Sequence, residues 1–179
     1  MHYDIDAQRS QVWVEARSSL HPIHSETKGL EGFFEGEVVG GGRINLSSEP
    51  KAHLELPVGQ LSSGNALYDR EMKRRIDARR FPTISGDLHR LRETEKDGCY
   101  LTDGEVTFRG VTRPVSDELT LSVSEDGTIV FEGKHVFDVR EFHMDPPKIM
   151  MLRVYPDVTV RVRIVAKAGS PARRAARSM

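Results

Sequence analysis

The chain has 179 residues, enough for one domain with a core of its own. Its 26 lysines and arginines almost balance 27 aspartates and glutamates, so no bulk charge favours a nucleic acid or an anionic membrane. The single cysteine, Cys99, has no partner for an internal disulfide, and no apolar run reaches the length of a membrane span.

The first residues carry neither a charged nor an apolar leader region. With the lone thiol, this predicts a cytoplasmic protein. Tyr3 to Ile5 suits a short strand. From Ser10 to Ser18, Val12, Val14 and Ala16 alternate with Gln11, Trp13, Glu15 and Arg17, the period of a half-buried strand. The run 19–24 breaks the pattern, and Pro22 marks a turn. Glycines recur from Gly29 to Gly36, as in a wall that bends. Gly40 to Gly42 form a flexible connector, after which Leu54 and Leu56 share a strand face.

Residues 64–80 differ. Ser62, Ser63 or Asn65 suits a helix cap, Leu67, Tyr68, Met72 and Ile76 form an apolar stripe, and Pro82 ends the helix. Strands resume over 83–91 and 100–109, joined through Asp97-Gly98. The stretch from Gly104 to Val115 reads as strand, turn, strand about Gly110, with Pro114 at a turn or edge. Leu119, Leu121 and Val123 alternate next. Beyond them, Ile129, Phe131, Gly133, His135 and Phe137 share a face. Residues 141–148, with Pro146-Pro147, read as a loop. Val158 to Ile164 is the clearest half-buried strand. Residues 169–179 are small, polar and arginine-rich, which predicts a basic, disordered tail.

These elements make an all-β domain over 1–168, with roughly eight antiparallel strands and one helical excursion. A closed barrel of that size holds one ligand. A sandwich fits the same periodicity.

Several clusters carry chemistry on paper. His21 and His24 are close enough to share a metal but lack further ligands of matched spacing. No nucleophile elbow or Cys–His pairing is visible, and Cys99 has no activating base. The expectation is therefore no metal, no cofactor and no catalysis. The arginines and lysines of the helix give it a mildly basic face suited to transient membrane contact. The inward faces offer Val12, Val14, Phe34, Leu54, Leu56, Phe108, Phe131 and Phe137 either as the lining of a cavity or as an ordinary filled core. His135 shares a face with two of these aromatics and suits either a core hydrogen bond or a polar anchor. Arg17 and Arg70 suit either surface solvation or the recognition of a polar head.

Ordered motifs weigh between these alternatives. Tyr3-x-Ile5-Asp6 precedes Ser10-x-Val12, and Phe34 precedes Gly36 by two positions. Asn65 to Asp69-Arg70 opens the helix, and Phe81-Pro82-Thr83-Ile84 leads into a strand. Gly104-x-Val106-Thr107-x-x-Gly110-Val111-Thr112-x-Pro114-Val115 follows, then Arg140-Glu141-Phe142. Together, over about residues 3–167, they resemble the YceI-like family, small lipocalin-like barrels that bind polyisoprenoid and related lipids. The resemblance implies a lipocalin-like fold and an open, apolar pocket. Its occupant would be a polyisoprenoid, an isoprenoid quinone or a fatty-acyl lipid, bound without being transformed, with no nucleic-acid partner and a homodimer left open. An enzyme acting on such a lipid through His135, or a barrel filled by its own side chains, are the rival expectations.

Overall fold

The computed structural model describes residues 1–169. Its strands, in chain order, are β1 (His2–Ile5), β2 (Gln11–Ser18), β3 (Ile23–Thr27), β4 (Glu31–Glu35), β5 (Val38–Val39), β6 (Arg43–Ile44), β7 (Lys51–Pro57), β8 (Thr83–Glu93), β9 (Cys99–Phe108), β10 (Val111–Val123), β11 (Ile129–Asp138), β12 (Lys148–Ile149) and β13 (Leu152–Ala168). The helix α1 (Ala66–Ile76) lies between β7 and β8, and a 3-10 turn (Val139–Phe142) follows β11. The arginine-rich tail expected at 169–179 falls, except for Gly169, outside the described residues.

Eight antiparallel strands close a barrel in the order β1-β4-β7-β8-β9-β10-β11-β13. Tyr3↔Ala168 and Ile5↔Ala166 seal the ring, which rules out an open sandwich. The same edge of β13 then passes from β1 to β2, through Arg163↔Gln11 to Val158↔Ala16. At the break between β1 and β2, buried Ser10 accepts a hydrogen bond on Oγ from the Val165 N–H at 2.9 Å. That bond replaces a missing rung and leaves no orphan donor. β3 extends the wall from β2 and is tied to the loop before the helix through the Glu26↔Ser62 bridge.

Alternation decides what faces inward. Near β1 the interior is packed solid by Tyr3, Phe34, Tyr100, Leu121, Ile129 and Phe131. Phe34 and Phe131 meet edge to face at 5.0 Å, a favoured aromatic geometry. A Cβ on Gly36 would come within 2.7 Å of Phe34 Cζ, so the glycine is what lets that ring lie where it does. The β5–β6 flap covers this end, and the Ile44 N–H donates to Tyr100 Oη at 3.0 Å.

The other end is plugged by α1 and the Val139–Phe142 turn. Ile76 is buried with Val58, Val139 and Met144, and Met72 packs against them. Leu67, expected on the buried stripe, is 42% exposed. The reason is angular: Tyr68, Met72 and Ile76 repeat every four residues, whereas Leu67 stands about 100° away from Tyr68. The helix also stops earlier than Pro82 requires. Asn65 caps its start, and Asp77 takes a left-handed conformation that ends it at Ile76. Hydrogen bonds from Arg74 and Arg75 hold the Glu71 carboxyl down at about 2.

The hairpin at Gly110 has the expected form. Phe108 pairs with Val111 across Arg109 and Gly110, and both turn residues have positive φ, the conformation a two-residue hairpin demands. Two features went unforeseen. Residues 23–27 form a strand despite Pro22, and Pro114 lies inside β10 rather than at its edge in sequence. In such a hairpin Phe108 and Val111 exchange both hydrogen bonds, so Pro114 directs its nitrogen away from β9 and towards β11. There the ladder has already ended: β10 and β11 pair only from Leu119↔Gly133 to Val123↔Ile129. A proline costs nothing on that side, and a seam is left in the wall.

Candidate functional site: an apolar cavity with one polar pair

Between the two packed ends lies a cavity of about 400 Å³. Val12 and Val14 from β2, Leu54 and Leu56 from β7, and Phe108 from β9 line it, together with Phe131, His135 and Phe137 from β11. Opposite them stand Val158, Val160 and Val162 of β13, while Tyr68, Met72 and Ile76 of the helix roof it. Two inward wall positions are glycines. A Cβ on Gly86 or Gly133 would meet nothing closer than 3.6 Å. Part of the cavity is therefore side-chain volume that the sequence leaves out.

Three of the residues proposed from sequence stand elsewhere. Phe34 is 1% exposed and belongs to the solid end. Arg17 sits on the outer face of β2, where it meets Asp157 at 3.5 Å and lies over the Tyr155 ring. Its neighbour Ala16 takes the inward position. Arg70 is exposed on α1, off the face that covers the barrel. Both arginines fail as head contacts for one reason: strand and helix periods turn them outward.

His135 does reach the cavity. Its Nδ1 lies 2.8 Å from Asp117 Oδ2, and its ring meets Phe137 edge on at 4.5 Å. Asp117 is the residue that sequence reasoning missed. The signal was present, because Asp117 has the inward parity of Leu119, Leu121 and Val123. Taking Pro114 as a boundary hid that the strand runs through it. The main chain here is held by Thr102, whose Oγ1 donates to the Asp117 carbonyl at 2.8 Å.

A second polar cluster stands where helix and wall meet. Burial pushes the Asp69 carboxyl up, but bonds from the Ser63 hydroxyl and amide and the Ser62 hydroxyl bring it below its ordinary value. This cluster is internally satisfied and braces the start of the helix. Among the described residues no group of three histidines, cysteines or carboxylates is arranged to hold a metal ion, and no helix is long and apolar enough to cross a membrane.

Arg109 was also overlooked. From its left-handed turn position it donates to Ile76 O at 3.3 Å, to Phe142 O at 3.3 Å and to His143 O. One guanidinium thus fastens the β9–β10 hairpin to the end of the helix and to the turn that covers the cavity.

The family model of the YceI-like domain matches residues 3–166. No curated protein matches the sequence. Among solved structures, BcnA of Burkholderia cenocepacia superposes with a TM-score of 0.78 at 16% identity, over 92% of this chain and 100% of that one. A polyisoprenoid binding domain from Saccharophagus degradans, implicated in plant cell wall breakdown, gives 0.73 at 11% identity, over 93% and 98%. The YceI protein of Campylobacter jejuni gives 0.66 at 12% identity, over 83% and 86%. At these identities the structures attest to a shared fold.

Proposed function

Since the chain belongs to the YceI-like family, we propose that its barrel binds and carries an apolar small molecule, a polyisoprenoid, isoprenoid quinone or fatty-acyl lipid, without transforming it. The observation that carries this reading is the cavity itself: about 400 Å³ of space with a mainly aliphatic and aromatic wall, between two packed ends. Ligand sites typically measure ~300–1,000 Å³ and need few polar groups. Each methylene buried there contributes ~0.8 kcal/mol, so a tail supplies most of the affinity and a head mainly the orientation. The Saccharophagus degradans domain, by its description a polyisoprenoid binder, supports the same class of ligand.

Among the described residues that line the cavity, the pair formed by Asp117 and His135 is the feature that would suit a base. Yet no hydroxyl or thiol of the described residues is hydrogen-bonded to His135, so no side-chain nucleophile is poised beside it. Native mass spectrometry of protein purified from its own cell, followed by organic extraction, tests the reading. Recovery of an apolar molecule in near-stoichiometric amount is expected. An empty protein that also takes up no lipid on incubation would defeat it. So would conversion of an added lipid to product that stops in His135→Gln.

A further inference from the structure

The seam between β10 and β11 holds a group with a defined preference. Past the last rung, Leu119↔Gly133, β10 still runs back to Val111 and β11 on to Asp138. His135 Nδ1 to Asp117 Oδ2 spans the parted strands, and Arg113 Nε of β10 donates at 3.0 Å to Glu141 O in the turn that follows β11. Although both members of the pair occupy inward positions, the side chains of His135 and Asp117 keep 31% and 43% of their surface accessible. They are open to the cavity and to whatever enters the seam.

The hydrogen bonds of the pair determine what it can recognise. Asp117 Oδ1 accepts from the Glu118 N–H at 2.8 Å, and Oδ2 faces His135 Nδ1. An ionised carboxylate only accepts, so the proton of the neutral ring belongs on Nδ1. Nε2 is then left as an acceptor, and no described residue bonds to it. An acceptor in an apolar wall recognises a donor. Charge narrows the choice further. The carboxylates Asp69 and Asp117 face the cavity, while Glu118, Glu132 and Lys134 border it from the outer side of the wall, where Glu132 meets Arg163. No arginine lines the cavity, and Arg113 in the seam is engaged by Glu141 O. A phosphate or carboxylate head would meet like charge and lack the guanidinium fork that usually receives it.

We propose that Asp117 and His135 form a headgroup subsite for a neutral hydroxyl, an alcohol or a phenol, in preference to an anionic head; this rests on the reading of the cavity as an apolar-ligand site. The hydroxyl donates to Nε2, while Asp117 fixes the tautomer and the ring plane.

The test uses the full chain and three probes with one tail: farnesol, its methyl ether, and its monophosphate. Each displaces the neutral fluorophore N-phenylnaphthylamine. Farnesol is expected to bind about tenfold tighter than the ether, the worth of one desolvated hydrogen bond, and the monophosphate weakest. His135→Phe should abolish the preference for farnesol over its ether, bringing the ratio of the two affinities to about one. Asp117→Asn, nearly isosteric, frees the tautomer and should narrow the gap; it also serves if His135→Phe does not fold. Equal binding of alcohol and ether, or tightest binding of the monophosphate, overturns the subsite and leaves carriage standing. If none of the three probes displaces the fluorophore, the carriage reading falls and takes the subsite with it.

Discussion

Gly133 stands directly across from Leu119 on the last rung of the β10–β11 ladder, and a Cβ there would lie 3.6 Å from Leu119 Cβ and 3.9 Å from Val162 Cγ2. Those are ordinary contacts, so the first atom of a side chain fits, and the remainder must enter the cavity. Gly133→Leu should therefore keep the fold and weaken binding of an apolar probe by about tenfold or more, the loss of two or three buried methylenes. Displacement of a neutral fluorophore, alongside a thermal melt, checks this. Undiminished binding with a normal melt would mean that the ligand does not lie beside β11.

Arg109 joins three carbonyls from two elements, one at the end of α1 and two at the end of the turn over residues 139–143. Its planar fork is what reaches them at once. Arg109→Lys should lose most of that linkage and lower stability by about 2 kcal/mol, the range for hydrogen bonds to a charged donor. Urea unfolding measures the loss. Hydrogen exchange should also rise in α1 and in residues 139–143 before it rises in the rest of the barrel. A uniform change in exchange would show that the contact does not hold the cover specifically.

Arg17 and Arg70 lie outside the cavity. Alanine at either position should leave the affinity for headed and bare apolar ligands within about twofold, as for most exposed side chains far from a site. A selective loss of the headed ligand in either variant would place the mouth on that side of the barrel.

On the outer wall the His53 ring stands between two carboxylates, with Nδ1 2.7 Å from Asp87 and Nε2 3.1 Å from Glu55, and the protonated ring donates to both. The bond to Asp87 and then that to Glu55 raise its pKa above the ordinary 6.5. Its protonated form is thus favoured by folding. The stability it contributes is fully present below pH 6.5 and is lost as pH rises through the raised folded value. Relative to wild type, His53→Gln should be least stable below pH 6.5 and converge on it as pH rises past the raised folded value. A stability difference independent of pH would contradict the linkage.

Much of this architecture was legible in the sequence, because a period of two fixes which side chains share a face. Val12, Val14, Leu54, Phe131, His135 and Phe137 lie on the inner face for that reason alone. Phe34 shares the parity but lies in the filled half, and alternation says nothing about height along a barrel axis. Asp117 escaped notice because Pro114 usually closes a strand. It does not do so here, since the ladder on its open side has already ended. Arg109 could not have been found by pattern. Its role comes from three carbonyls 33 or 34 residues away in the chain, which only the closed structure brings together.

The union of β1 with β13 joins Tyr3 to Ala168 and Ile5 to Ala166. Contacts that distant carry nearly the full loop-closure entropy of the domain and form late, which makes for slow folding. During synthesis, moreover, the first strand can pair early with β4 but lacks its second neighbour until the last strand has left the ribosome. The ring cannot be complete before then. A cavity walled on every side therefore exists only once β13 has been made.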